Sequence, residues 1–209
     1  MPPTSILDLL TKLDKKDWKK IILKDVVDIQ RGFSFDDKKY KKSGLPIIKV
    51  LNVQQGKINV ENLVYFDPND YPRDLSKFLL KPGEICITVS GASSGKIAIN
   101  NINQDFYLSS TVCKLNAKEN IVPKYLYHSL LYIHKEIKNL VRGGAVKGLP
   151  IKQLEQLKIP FPPINIQKKI AYLLDELRTK KEELKEDLLK EININEKKYE
   201  YYRNLLFSL

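Results

Sequence analysis

Cysteine is scarce. Cys86 and Cys113 are the two in 209 residues, too few for a disulfide framework, so a reducing compartment such as the cytoplasm is expected. Histidine is equally scarce. His128 and His134 stand six apart on a predicted helix, a spacing that does not put two metal ligands on one face. No apolar run reaches the roughly 18 residues of a membrane span. The first residues lack the basic-then-apolar order of a secretory signal. Residues 165–209 contain neither glycine nor proline, so nothing there interrupts a helix. Acidic residues are the minority charge, 25 against 36 Lys+Arg, for a net charge of +11.

What is present points to a folded, basic protein. The hydrophobic fraction is 43%, enough to build a core and too high for disorder by composition. Residues 1–163 hold 26 Lys+Arg against 16 Asp+Glu, and residues 164–209 hold 10 against 9. The positive charge therefore resides in the first part, where it fits a polyanionic partner such as nucleic acid.

Texture divides the chain. Residues 4–13 (TSILDLLTKL) read as a short helix, with Ser5 and Asp8 at capping-box spacing. From Trp18 to Asn116 β-branched runs alternate with turn signals: 21–30, 45–53, 85–89, 96–99 and 106–115 read as strands. Residues 124–141 read as one helix, closed by the glycine-rich 142–148. Residues 150–157 read as a short helix opened by Pro150, and IPFPP (159–163) must be extended. The boundary predicted from these features separates 1–163 from 164–209.

Over 165–209 apolar residues recur at heptad spacing: Ile166, Ile170, Leu173, Leu177 and Leu184, then a shifted register through Leu188, Ile192, Tyr199 and Leu206. Such a helix is roughly 65 Å long at 1.5 Å per residue, too long for a domain of this size to cover. Its narrow apolar seam calls for a partner helix. The fold class is therefore α+β, a β-rich globular domain followed by a long C-terminal helix that pairs with a partner helix or, as the alternative, folds back on its own domain.

Searches for catalytic patterns fail together. GASSGK (91–96) has three residues between its glycines, not four, and Ile97 follows Lys96 where a phosphate-binding loop needs Ser or Thr. A tight inter-strand loop is the better reading. FPPI (161–164) lacks the leading Asn or Asp with which amino methyltransferases hold their target. Asp36, Asp37 and Lys38 fall in a polar loop rather than a strand. The two cysteines sit in strand patterns and read as core residues.

Several stretches together resemble a known family. Trp18-Lys19 leading into IILKDVVDIQRGFSF, then LPIIKVLNV, KPGEICITVSGASSGKIAI (81–99), KYLYHSLL and above all GGAVKGLPIKQLEQLKIPFPPINIQKKIAYLL (143–174) resemble the specificity (S) subunit of type I restriction-modification systems. The likeness covers most of 18–209. It departs at Ile166-Gln167, where the family usually has Glu-Gln, and in length. Family members carry two target recognition domains and two conserved helices, and this chain resembles a half-length form with one of each.

The resemblance implies a non-catalytic DNA-recognition subunit. Each chain would read one half of a bipartite site in double-stranded DNA. Methyltransferase (M) subunits would dock and bind S-adenosylmethionine, with the restriction (R) subunit recruited through them. The chain itself would hold no cofactor and no metal. The family's long helices pack antiparallel, so a homodimer through an antiparallel coiled coil of the helix would use Ile170, Leu173, Leu177, Leu184, Leu188, Ile192 and Tyr199. Candidate DNA contacts are Arg31 and Ser34 around Gly32-Phe33. Ser93, Ser94 and Lys96 line the second loop, and Arg142 and Lys147 flank Gly143-Gly144. Lys49, Asn52, Gln54 and Gln55 complete the set, since Asn and Gln can read adenine and Arg or Lys guanine. Two other readings remain open on the residues alone. One is a coiled-coil scaffold with a basic RNA- or protein-binding domain, the other a small DNA-modifying enzyme.

Overall fold

The computed structural model describes residues 18–143 and 147–208, and the helix expected over 4–13 lies outside them. The chain separates into two compact units, one ending at Lys168 and the other spanning Lys169–Leu209.

The first unit is built on two four-stranded sheets. The first runs β2 (Val27–Arg31), β11 (Val112–Ala117), β8 (Ile85–Thr88), β9 (Ile97–Ile99), antiparallel throughout. All four residues of β8 are buried, as an uninterrupted apolar run inside a sheet requires. The second runs β6 (Val64–Phe66), β3 (Leu45–Ile48), β10 (Phe106–Leu108), β7 (Leu79–Leu80), with β3 and β10 parallel. A small hairpin joins β4 (Val53–Gln54) to β5 (Lys57–Ile58). β1 (Lys20–Ile22) pairs antiparallel with β12 (Lys158–Pro160).

The two sheets share one core. Ile48, Leu80 and Phe106 of the second sheet pack with Cys86, Ala98 and Val112 of the first in a single buried cluster. Burial alone is worth roughly 2 kcal/mol for each large side chain of this kind. Both cysteines lie in the first sheet, free and buried. Burial pushes the Cys86 thiol up to about 12 and that of Cys113 up to about 11. They are core residues.

A second cluster is aromatic. Phe35, Ile47, Phe66 and Leu75 are buried, with Phe33, Tyr71, Phe78 and Tyr107 around them. Phe66 meets Tyr107 edge-on at 5.0 Å and Phe35 meets Tyr71 edge-on at 5.4 Å, the geometry that ring quadrupoles favour.

Four expected elements are interrupted or end early. The strand expected over 21–30 is β1 and β2, with a 3-10 turn (Leu23–Asp25) between them. The strand expected over 45–53 stops at Ile48, and a 3-10 turn (Val50–Asn52) follows. The 106–115 run is two strands in different sheets, with Ser109-Ser110-Thr111 between them. The helix expected over 124–141 is two, α1 (Pro123–Tyr132) and α2 (His134–Leu140), broken at Ile133. In α1 the Ser129 hydroxyl donates to the Tyr125 carbonyl at 2.8 Å, a back-bond that bends helices. Ile133 and Ile137 are both buried across the break. α3 (Ile151–Leu154) follows Pro150 as expected, and residues 158–160 are extended as expected.

α4 (Ile164–Phe207) is one helix of 44 residues, about 66 Å long. It starts at Ile164, the first residue of the predicted segment 164–209, whereas the compact units divide after Lys168. Gln167 fastens its first turn within the first unit. Its Oε1 accepts the Val122 N–H at 2.9 Å, and its Nε2 donates to the Pro162 carbonyl at 3.0 Å. Further along, Ala171 and Leu173 are buried, whereas Leu177, Leu184, Leu188, Ile192 and Tyr199 are exposed. The open part of the apolar stripe therefore starts at Leu177. No described helix is long and apolar enough to cross a membrane.

Candidate nucleic-acid interface

The GASSGK stretch is the loop between β8 and β9, as its failed phosphate-loop spacing predicts. Gly91 and Gly95 both have positive φ, +92° and +86°, a backbone that glycine adopts at no steric cost. Buried Thr88 organises the loop from beneath. Its hydroxyl donates to the Ser93 carbonyl at 2.5 Å and accepts the Lys96 N–H at 3.0 Å.

The 142–148 loop is sewn to it. The Gly91 N–H donates to the Lys147 carbonyl at 2.8 Å, and the Leu149 N–H to the Val89 carbonyl at 2.9 Å. Arg142 and Gly148 exchange backbone hydrogen bonds at 2.7 and 3.0 Å. From beside them, Lys138 of α2 donates its ammonium to the Ser94 carbonyl at 3.0 Å. Burial, then the positive charges of Lys96 and Lys147, hold the Lys138 pKa below its ordinary value. Three lysines thus converge on one double loop with Arg142 exposed at its edge. His134 feels the same surroundings. Burial and then Lys138 lower its pKa, against the opposing Gly95 backbone contact.

A second arm of the surface reaches the double loop through short contacts. Arg31 donates Nε to the Ser110 carbonyl at 2.9 Å. The neighbouring Ser109 N–H donates to the Ile48 carbonyl at 3.0 Å, next to Lys49. The Lys49 ammonium lies 4.5 Å from the Tyr40 ring centre and 3.6 Å from Asp37. Burial, together with Asp37, pushes the Tyr40 phenol above its ordinary value. Val50 follows Lys49, and its methyls stand 3.8 and 4.0 Å from where a Cβ on Gly91 would lie. Gln55 accepts the Ile97 N–H at 3.2 Å. The segments that carry Arg31, Lys49, Gln55, Lys96 and Lys147 are thus linked by these contacts, with Ser34 exposed and Gln54 and Ser93 half-buried.

Two expected contacts need correction. Asn52 is 4% exposed, and its amide is consumed inside the fold. It accepts the Lys49 N–H and donates to the Asn59 and Glu61 carbonyls. Ser94 is 1% exposed, and its hydroxyl donates within the double loop to the Gly91 carbonyl at 2.7 Å. Both residues shape loops and have no free edge to offer a base. Lys138 is the member that the sequence reading missed, since a lysine on a helix carries no local signal of a loop reached from the side.

Among the described residues no group of three or more His, Cys, Asp and Glu is placed to hold a metal ion.

The chain is similar to proteins of one known family. The model of the type I restriction modification DNA specificity domain matches residues 15–194. The EcoR124I/EcoR124II type I restriction enzyme specificity subunit of Escherichia coli is 32% identical over 160 residues, covering 66% of this chain and 40% of that protein. The MjaVIII specificity subunit of Methanocaldococcus jannaschii is 32% identical over 163 residues, covering 75% and 38%. This chain thus spans about two fifths of the length of these relatives. Among solved structures, the type I S subunit from M. genitalium superposes with a TM-score of 0.62 at 21% identity, covering 83% of this chain and 42% of that one. The HsdS subunit from Thermoanaerobacter tengcongensis gives 0.57 at 20% identity, covering 79% and 38%.

Proposed function

The chain belongs to the type I restriction-modification DNA specificity family, and on that premise we propose that it reads one half of a split site in double-stranded DNA. A second copy, paired through α4, reads the other half. The linked basic segments from Arg31 through Lys49 to the double loop supply the phosphate contacts that set affinity and register. Exposed Gln and Arg or Lys side chains along them reach base edges. The chain directs the chemistry without performing it. Methyltransferase subunits dock on the assembly and bind S-adenosylmethionine, and a restriction subunit joins through them.

One observation carries the pairing. From Leu177 to Leu206 the apolar stripe of α4 is exposed, with Leu184 at 64% and Leu206 at 68%. A stripe of this length at heptad spacing is stable in water when a second helix covers it. A two-fold pair presents identical reading surfaces in opposite directions, so its site is a split palindrome.

The test is the solution mass of the purified chain, followed by DNA selection from a randomised duplex pool with a methyltransferase subunit added. A dimer that selects a split palindrome is expected. A strict monomer in both states, or a preference for RNA over duplex DNA, would overturn the reading.

A further inference from the structure

Among the described residues, no carboxylate lies within ion-pair distance of Lys96, Lys138 or Lys147, whereas Lys41, Lys49, Lys114 and Lys118 each have one. A single solvated lysine needs no partner. These three differ because the fold brings them to one place.

Lys138 starts on α2, outside both loops. Its stem crosses Gly95, with Cδ 3.6 Å from where a Cβ on that glycine would lie. Its ammonium ends on the Ser94 carbonyl at 3.0 Å. Ser94 is the hub of the double loop. Its hydroxyl donates to the Gly91 carbonyl at 2.7 Å, with the Lys147 carbonyl 3.3 Å away. Lys96 stands two residues further on, its N–H held by the Thr88 hydroxyl at 3.0 Å. Lys96 and Lys138 are half-buried, so neither is free to fan out into water.

Burial, and then the charges of Lys96 and Lys147, disfavour the charged form of Lys138. Like charges held together in a half-buried setting cost the free protein stability. An anion among them removes that cost. Residues 90–96 and 134–148 supply Lys96, Lys135, Lys138, Arg142 and Lys147 against Glu136 as the one acid. An ammonium meets phosphate as a point charge, without the planar fork with which arginine fits carboxylates and base edges. A cluster led by lysines therefore suits the DNA backbone.

We propose that Lys138 is a phosphate-contacting residue that joins Lys96 and Lys147 in gripping adjacent phosphates of one DNA strand. The inference rests on the DNA-reading function proposed above and adds to it a side chain from α2. Fixed on Ser94 before DNA arrives, Lys138 loses little freedom on binding and sets where the strand lies against the double loop.

The experiment uses the full chain, alone and with a methyltransferase subunit, on a duplex selected from a randomised pool. Each phosphate of that duplex is replaced in turn by an uncharged methylphosphonate. The wild-type protein is expected to lose about tenfold in affinity at each gripped phosphate. Lys96→Gln, Lys138→Gln and Lys147→Gln, their folds checked by thermal transitions, are each expected to abolish the loss at one or more of a set of neighbouring phosphates on one strand. Lys138→Arg, which keeps the charge, is expected to keep the loss. A folded Lys138→Gln that retains every methylphosphonate loss marks a merely structural lysine and would overturn the assignment. So would phosphates that map to separate strands for the three lysines. A reading that needs no variant is the nitrogen resonance of the Lys138 ammonium in the wild-type chain. It is expected to shift with the selected duplex and to shift less when the gripped phosphate is a methylphosphonate; equal shifts with both duplexes would overturn the assignment. Failure to select any specific duplex would sink the DNA-reading function itself, whereas the other adverse results remove Lys138 alone.

Discussion

The Gln167 side chain accepts the N–H of Val122 at 2.9 Å, so the first turn of the long helix and the start of α1 are held by one amide. The same amide donates to the Pro162 carbonyl and is 1% exposed. Gln167→Ala strands a half-buried N–H and a buried carbonyl together. A loss of about 2–3 kcal/mol is expected, measured by urea unfolding of the whole chain. An unchanged midpoint would mean that the bonds contribute nothing net.

Among the described glycines, Gly32 stands closest to neighbouring backbone. A methyl at its Cα would lie 2.5 Å from the Leu108 carbonyl oxygen and closer still to that of Ser109. Its own N–H donates to Val112 at 2.9 Å. Gly32→Ala must push the β10–β11 connection away from β2 and is expected to cost about 3 kcal/mol or more. A soluble variant with wild-type thermal stability would contradict this packing.

The double loop makes a salt-dependent prediction. Lys96→Ala and Lys147→Ala each remove one cation from the proposed phosphate-binding stretch. Each is expected to lower the slope of log affinity against log salt by about one and to weaken binding evenly across sequences. Slopes equal to wild type would take the loop out of the interface.

Leu184 and Leu188 are exposed at 64% and 58% in the isolated chain. Leu184→Glu with Leu188→Glu is expected to halve the sedimenting mass and to leave the unfolding midpoint of the first unit in place. Leu173 is the wrong position for that experiment, because it is already buried within the chain. A dimer that persists in the double variant would locate the pairing elsewhere.

His134 predicts a pH effect with a definite sign. Burial and Lys138 hold its folded pKa below 6.5, so on acidification the unfolded chain takes up this proton first. Stability from this residue is fully present above pH 6.5. It is lost as pH falls from there through the lower folded value. The stability gap between wild type and His134→Gln should narrow between pH 7.5 and 5.5, by urea melts at each pH. A constant gap would show that the imidazole titrates alike in both states.

Much of this architecture is legible in residue patterns, for reasons that differ by element. The glycine-free, proline-free stretch with heptad leucines specifies α4 because helix breakers and apolar period are local properties. The loop at 91–96 is legible because its spacing fails the phosphate-loop test and succeeds as a turn. Asn52 and Ser94 are not, because a polar residue near a loop reads as exposed until the carbonyls that consume it are brought there by distant strands. The break at Ile133 is hidden because Ile133 and Ile137 keep helical spacing through it. Leu51 is hidden for the opposite reason: it sits in a β-branched run that reads as strand, while the buried neighbour Asn52 turns the chain and leaves the leucine outside.

The pairing of Lys20–Ile22 with Lys158–Pro160 sets the entry and exit of the globular body side by side. A body whose two ends meet at one short ribbon can be lifted out and replaced without re-threading anything around it, since neighbouring sequence only has to meet the same two adjacent strands. On the DNA-reading function proposed above, exchange of the stretch between those strands would change what is read while conserving the flanking helix. The body would in that sense be an interchangeable cassette, replaced whole as well as altered one side chain at a time.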